Sequence, residues 1–139
     1  MKKIFRIIDA NLNRAREGLR VCEDISRFTM PKKSLAGLLK NARHSATRAV
    51  LSSKNLALKK LVSSRDVKKD LMKFSDLKRS KGNGLSGVFM ANIERAKESL
   101  RVLEECTKVI DEAASRRYRN IRFKVYEIEK KYNDSARIR

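Results

Sequence analysis

A fifteen-residue pattern occurs twice in this chain and constrains its fold more than any other feature. Residues 10–24 read ANLNRAREGLRVCED and residues 91–105 read ANIERAKESLRVLEE. Asn11 aligns with Asn92, Arg14 with Arg95, Glu17 with Glu98, Arg20 with Arg101 and Glu23 with Glu104. Both copies have helical spacing, in which positions three and four apart share a face. In the first copy Asn11, Ala15, Gly18, Cys22 and Ile25 fall on one face, with Arg14, Val21 and Phe28 at its edge. The second repeats this with Asn92, Arg95, Ala96, Ser99, Leu103 and Cys106.

Gly18 lowers helix propensity by about 1 kcal/mol relative to Ala, and its counterpart Ser99 is also small. Small residues at matched positions predict a close approach of the two helices across a pseudo-two-fold axis. The two Asn and two Arg are then expected to converge near one end of a helical bundle. An inward Arg is costly unless an anion or a carboxylate meets it. Spacing alone leaves two readings open. Glu17, Glu23, Glu98 and Glu104 could close an internal salt-bridge network, or the same residues could frame an anion site with carboxylates for a cation.

The rest of the chain agrees with an all-α fold. In 139 residues there are one Pro and five Gly, and alternating β-branched runs are scarce. The length suits a single domain, residues 1–139. The pattern predicts a first helix from Ile7 to Thr29, stopped by Pro31. A second begins at Ser34 as N-cap and carries Leu35, Leu38, Leu39, Ala42, Ala46, Ala49 and Val50 at helical spacing. A short helix follows over Leu56–Val62. A long helix is expected over Ser86–Ala114 and a last one over Ser115–Asp134, with Ile121, Val125, Ile128 and Tyr132 on its stripe. The architecture expected is an antiparallel bundle of four main helices plus one short one. Between them, residues 63–84 crowd charges and thin out apolar residues, which predicts a long mobile loop. At its end, GNGLSG (82–87) fits a glycine-rich phosphate pattern and leads into a helix; no strand precedes it, so a dinucleotide fold is excluded, and a phosphate-binding helix N-terminus stays open.

Composition narrows the function classes. No apolar run approaches the roughly 20 residues of a membrane span, and the opening MKKIFRIID lacks the long apolar stretch of a signal peptide. Cys22 and Cys106 have no metal-ligand spacing and read as small core residues, and Tyr126 reads as core. A reduced, cytoplasmic setting is expected. The formal net charge is +19, and residues 32–81 hold 15 basic against 3 acidic groups. Such a field attracts polyanions, whether nucleic acid, membrane headgroups or phosphorylated small molecules. It is also what a Lys-rich solvated surface would give.

Beyond these readings, RIIDANLNRAREGLRVCEDISRF (6–28) closely resembles the opening of a small all-helical hydroxymethylpyrimidine-phosphate kinase family of thiamine biosynthesis, a type often fused to thiamine-phosphate synthase. LKNARHSA (39–46), SRDVKKDLM (64–72), the second ANIERAKESLRVLEE copy and IRFKVYEIEK (121–130) are similar to further segments of that family. One departure is Met72, which stands where the family's loop has Gly. The resemblance implies transfer of the γ-phosphoryl group of ATP to 4-amino-5-hydroxymethyl-2-methylpyrimidine phosphate, with Mg²⁺. It implies Arg14, Arg95, Asp70 and His44 as catalytic candidates. Asn11, Arg20, Arg43, Arg65, Asn92 and Arg101 would bind phosphate, and Glu17, Glu98 and Asp66 are metal candidates. A lone helical His such as His44 is as readily a packing or capping residue. Thiamine-phosphate synthase is the implied functional partner, and the chain could pair as a homodimer.

The chemistry asked of these residues is consistent. A phosphate monoester is mostly a dianion at pH 7, so it needs no general base. The difficulty is bringing two polyphosphorylated anions together, which calls for Arg, a cation and positioning. Two alternatives stand beside the kinase. One is a basic helical nucleic-acid-binding module, although no stacking platform or helix-turn-helix signature is present. The other is a non-catalytic relative, suggested by Met72.

Overall fold

The computed structural model describes residues 1–70 and 84–137. Most of the expected 63–84 loop, Met72 included, lies outside the described residues, as do Gly82 and Asn83. The elements are α1 (Lys2–Thr29), α2 (Ser34–Leu51), α3 (Leu58–Ser63), a 3₁₀ turn (Val67–Lys69), α4 (Gly84–Thr107) and α5 (Glu112–Arg137). No strand occurs among the described residues. Helices α1 and α4 pack together most extensively. Against them, α2 lies on α1 and α5 on α4, while α2 and α5 meet to close a four-helix ring; α3 sits on α1.

Both copies of the repeat bury the same positions. At a constant offset of 81, Ile8 and Phe89, Leu12 and Ile93, Ala15 and Ala96, Leu19 and Leu100, and Cys22 and Leu103 are all buried in one core. These are the i, i+3, i+4 and i+7 positions of an amphipathic helix, so removal of one stripe from water is the main force joining α1 to α4. The two run antiparallel: Gly18 lies against Asn92, and four residues further on Cys22 Sγ donates to the Phe89 carbonyl at 3.4 Å. Their crossing falls near Ala15 and Ala96, mid-way along both helices. A Cβ on Gly18 would sit 2.9 Å from the Asn92 carbonyl oxygen and 3.6 Å from Ala96 Cβ. The missing side chain therefore sets the helix separation, and this is what offsets its poor propensity.

Several boundaries differ from expectation, and three of them have a visible cause. Helix α1 starts at Lys2 rather than Ile7, because Ile4 and Phe5 extend its apolar stripe onto the core. Helix α2 has Lys33, not Ser34, as its N-cap, with no side-chain bond there; Ser34 is already helical. The break between α4 and α5 comes at 108–111, not at Ala114–Ser115. Thr107, the last residue of α4, bonds back to the Leu103 carbonyl at 2.7 Å. Asp111 then accepts the Ala113 and Ala114 N–H groups at 3.0 and 3.2 Å, which is the work of an N-cap. The same carboxylate accepts the Ser53 hydroxyl at 2.5 Å, tying the end of α2 to the start of α5. Tyr118 makes a second α5–α2 link, donating to the Ala46 carbonyl at 2.9 Å.

Candidate functional site

A cleft of about 1420 Å³ opens along the outer side of the α1–α4 pair. Helix α1 lines it from Lys3 to Gly18, α4 from Asn92 to Val102, and the segment from Arg65 to Asp70 forms a third wall. The two Asn and two Arg do share one cleft, but it lies on the flank of the bundle rather than at its end. The reason is the mid-helix crossing: in antiparallel helices, matched residues fall on either side of that point.

Four matched pairs line the cleft: Asn11 and Asn92, Arg14 and Arg95, Glu17 and Glu98, Gly18 and Ser99. The two Asn are held alike. Asn11 Nδ2 donates to the Ile7 carbonyl at 2.9 Å and Asn92 Nδ2 to the Val88 carbonyl at 2.8 Å, each one turn back. Every amide thus keeps its carbonyl oxygen and one N–H for another partner. Arg14, Glu17 and Glu98 are exposed to the cleft, and none of them makes an ion pair with another described residue.

The third wall is pinned by one interaction. Arg65 donates from Nε to Asp9 Oδ2 and from its terminal nitrogen to Asp9 Oδ1, both at 2.8 Å. Asp9 is buried and Arg65 partly exposed. The two-pronged bond to the carboxylate pushes the Arg65 guanidinium above its ordinary pKa. Three guanidinium N–H groups remain for a ligand. Asp66 caps the turn that follows by accepting the Lys69 N–H at 3.3 Å, and Asp70 ends the turn at the cleft.

Of the residues singled out from sequence, Asn11, Arg14, Glu17, Arg65, Asp66, Asp70, Asn92, Arg95 and Glu98 come together in this cleft. His44, Arg20, Arg43 and Arg101 do not, which departs from the placement expected of them. His44 is exposed on α2, outside the cleft lining. Arg43 donates to Glu23 at 3.1 Å in a pair whose side chains are 12% and 4% exposed, so it bonds α2 to α1. Arg20 and Arg101 make the repeated surface pairs Arg20–Asp24 and Arg101–Glu105 along their own helices, at 3.3 and 3.2 Å. Tyr126 also departs from its expected place in the core: it is half-exposed on α5, with Lys97 Nζ 5.1 Å from its ring centre. Cys22 is a core residue; burial pushes its thiol far above the usual value, so it stays protonated.

Sequence reading missed four polar cleft residues. Lys3, Arg6 and Asn13 lie on the α1 stripe that also carries Arg14 and Glu17, and Lys69 stands on the third wall. The helical spacing of Lys3, Arg6 and Asn13 was the available signal. The cleft carries Lys3, Arg6, Arg14, Arg65, Lys69 and Arg95 against Asp9, Glu17, Asp66, Asp70 and Glu98. Six cations facing five carboxylates make this a mixed site. The chain's large positive charge therefore resides elsewhere.

No group of three His, Cys, Asp or Glu side chains able to hold a metal occurs among the described residues. Mg²⁺ sites commonly use only one or two protein carboxylates, the rest of the shell coming from phosphate oxygens and water. Glu17 and Glu98 are carboxylates of that kind. No helix of the described residues is long and apolar enough to cross a membrane.

The ThiD2 family model matches residues 6–131, nearly the whole chain, and the chain belongs to the ThiD2 family. It is 36% identical over 128 residues to a thiamine-phosphate synthase of Prochlorococcus marinus subsp. pastoris, a match covering 91% of this chain and 34% of that protein. It is 39% identical over 127 residues to a thiamine-phosphate synthase of a Synechococcus species, with 91% of this chain and 34% of the relative covered. A thiamine-phosphate synthase of a Nostoc species is 35% identical over 126 residues, with the same coverage. The chain thus spans about a third of the length of the curated relatives it matches. No solved structure matches it.

Proposed function

We propose that this chain acts in thiamine biosynthesis as a kinase, transferring the γ-phosphoryl group of ATP to 4-amino-5-hydroxymethyl-2-methylpyrimidine phosphate. The cleft carries this reading: two matched Asn–Arg–Glu sets on one surface, with Arg65 and two further acids on the facing wall. The relatives' names support the pathway, although they describe proteins about three times as long. The kinase step itself rests on the family resemblance of the two repeat segments and on the character of the cleft.

The chain's own residues have work suited to this chemistry. Arg14 and Arg95 neutralise phosphoryl oxygens and hold them in line, since an Arg fork fits phosphate better than an ammonium does. Asn11 and Asn92 orient the ligand with uncharged N–H donors. The three spare N–H groups of Arg65 reach the same anions from the opposite wall. Glu17 and Glu98 would hold Mg²⁺, which when bound offsets phosphate charge. The acceptor is already ionised as it arrives, so a cleft without His suits it. The free hydroxymethylpyrimidine alcohol would need a base aligned with its hydroxyl.

The deciding experiment incubates purified protein with ATP, Mg²⁺ and either the pyrimidine monophosphate or the free alcohol. Diphosphate should form from the monophosphate, and kcat/KM for the alcohol should be lower by at least about 100-fold, the usual worth of a general base. Absence of diphosphate product, or equal values for both compounds, removes the reading.

A further inference from the structure

We propose that the cleft contains two matched phosphoryl half-sites, one on each side of the pseudo-two-fold axis, so that inorganic pyrophosphate is a one-to-one ligand seated across it. The inference deepens the phosphoryl-transfer reading by assigning one phosphoryl group to each copy of the repeat. Its test reads binding and needs no turnover.

Three observations carry it. The offset that pairs the buried core residues of α1 and α4 also pairs Asn11, Arg14 and Glu17 with Asn92, Arg95 and Glu98, and all six line one cleft. The two Asn adopt the same bonded state, one turn back at 2.9 and 2.8 Å, so the duplication is preserved in side-chain geometry. The helices cross near Ala15 and Ala96 with a Cβ-free contact at Gly18. At 1.5 Å rise per residue, that crossing puts the Arg14 and Arg95 Cα positions about 3 Å apart along the helix direction. Two Arg so little offset along the crossing, both lining the cleft, suit two phosphoryl groups joined by one oxygen. Across the crossing, Arg14 falls level with Glu98 and Arg95 level with Glu17. Each half-site thus takes its cation from one copy and its carboxylate from the other.

The test is calorimetric titration of the full chain with inorganic pyrophosphate and, separately, with orthophosphate, at constant Mg²⁺. Pyrophosphate should bind with a stoichiometry of one and orthophosphate, more weakly, with two. Arg14→Ala and Arg95→Ala should each weaken pyrophosphate at least tenfold, by factors within threefold of each other. Each should also reduce orthophosphate stoichiometry to one. Arg20→Ala and Arg101→Ala, which alter exposed ion pairs outside the cleft, should leave both titrations unchanged; circular dichroism of every variant checks the fold. Equal weakening by the surface variants would mean general attraction to a basic protein and would overturn the proposal. So would loss of binding in one cleft variant with none in the other, or no pyrophosphate binding at all. Turnover measured on the same preparations separates the two ideas. Diphosphate formation with unequal Arg effects leaves the kinase and removes the symmetry, while equal pyrophosphate binding without turnover does the reverse.

Discussion

Glu23 and Glu104 occupy matched positions in the repeat, and so do Glu17 and Glu98, but the two sets have opposite surroundings. Glu23 meets Arg43 from α2 at 3.1 Å, and Glu104 meets Arg122 from α5 at 3.0 Å. The side chains in these pairs are at most 12% exposed. Each carboxylate is closed by an Arg on the helix that follows its own. Glu17 and Glu98, six residues earlier, face the cleft, and no described residue closes them. A third matched set, Arg20–Asp24 and Arg101–Glu105, pairs along the helix surface. One duplicated sequence therefore yields a buried tie, a surface pair and an open set. The residue types are alike in all three, so the difference lies in what the neighbouring helix brings. Charge left open on a cleft wall in both copies is the kind available to a ligand.

The largest expected effect comes from breaking the buried tie. Glu104→Ala leaves the Arg122 charge stranded, and removal of one partner of such a pair costs about 3–5 kcal/mol. Urea midpoints should fall accordingly. Replacing both partners with Leu and Met should recover most of the loss, because an apolar pair of similar volume needs no charge compensation. If the double variant is no better than the single, the pair does more than neutralise itself.

Next in size is Arg14→Ala in the open set. Loss of one preorganised donor to a transferring group lowers kcat by about 10²–10³, while the urea midpoint should hardly move, since Arg14 has no described ion pair to lose. Arg14→Lys should recover little activity, because an ammonium cannot reproduce the two-pronged fork. A large stability loss in Arg14→Ala would place this residue with the buried ties instead.

Gly18→Ala sharpens the comparison at the crossing. The added methyl would press on a backbone carbonyl, which cannot rotate away, and overpacking of this kind costs about 1–3 kcal/mol. The gain in helix propensity offsets about 1 kcal/mol of that. A small net destabilisation should therefore appear together with weaker binding in the cleft, whose two sides would be pushed apart. Ser99→Ala at the matched position should do neither.

The smallest effect belongs to the Ser53–Asp111 link between the hairpins. The hydroxyl of Ser53 and the N–H groups of Ala114 and Ala113 hold the Asp111 carboxyl below its ordinary pKa. A carboxyl depressed on folding stabilises above its unfolded value, about 3.9, and that contribution is lost as pH falls through the lower folded value. Asp111 is only half-buried, so screening leaves roughly a few tenths of a kcal/mol. Urea midpoints for wild type and Ser53→Ala should differ near neutrality and converge in acid.

Much of this was visible as matched letters. The repeat pairs α1 with α4, forecasts their close approach at Gly18 and supplies six of the nine singled-out residues that line the cleft. The residue type misled where helix geometry did not: Arg20 lies nine positions from Asn11, about 180° round the helix, and Asp24 one turn further on was the cue to its surface pair. Arg43 and Arg122 were illegible as equivalents because α2 and α5 share almost no identities, and their partners lie 20 and 18 residues away on other helices. The α4–α5 break has no Pro or Gly to mark it. Asp111 caps α5 there, and the Ser53 bond that holds it comes from 58 residues away. The third wall depends likewise on Arg65 reaching Asp9 across 56 residues.

That last contact has no counterpart. The position matching Asp9 in the second copy is Met90, so a clamp of this kind is possible on one side of the axis only. A cleft with two identical halves would accept a pair of phosphorylated molecules in either order, with no distinction between giver and receiver. Arg65 on Asp9 places extra cationic donors beside one half alone. It thereby gives an otherwise reversible arrangement a front and a back, which a reaction between two unlike phosphates requires.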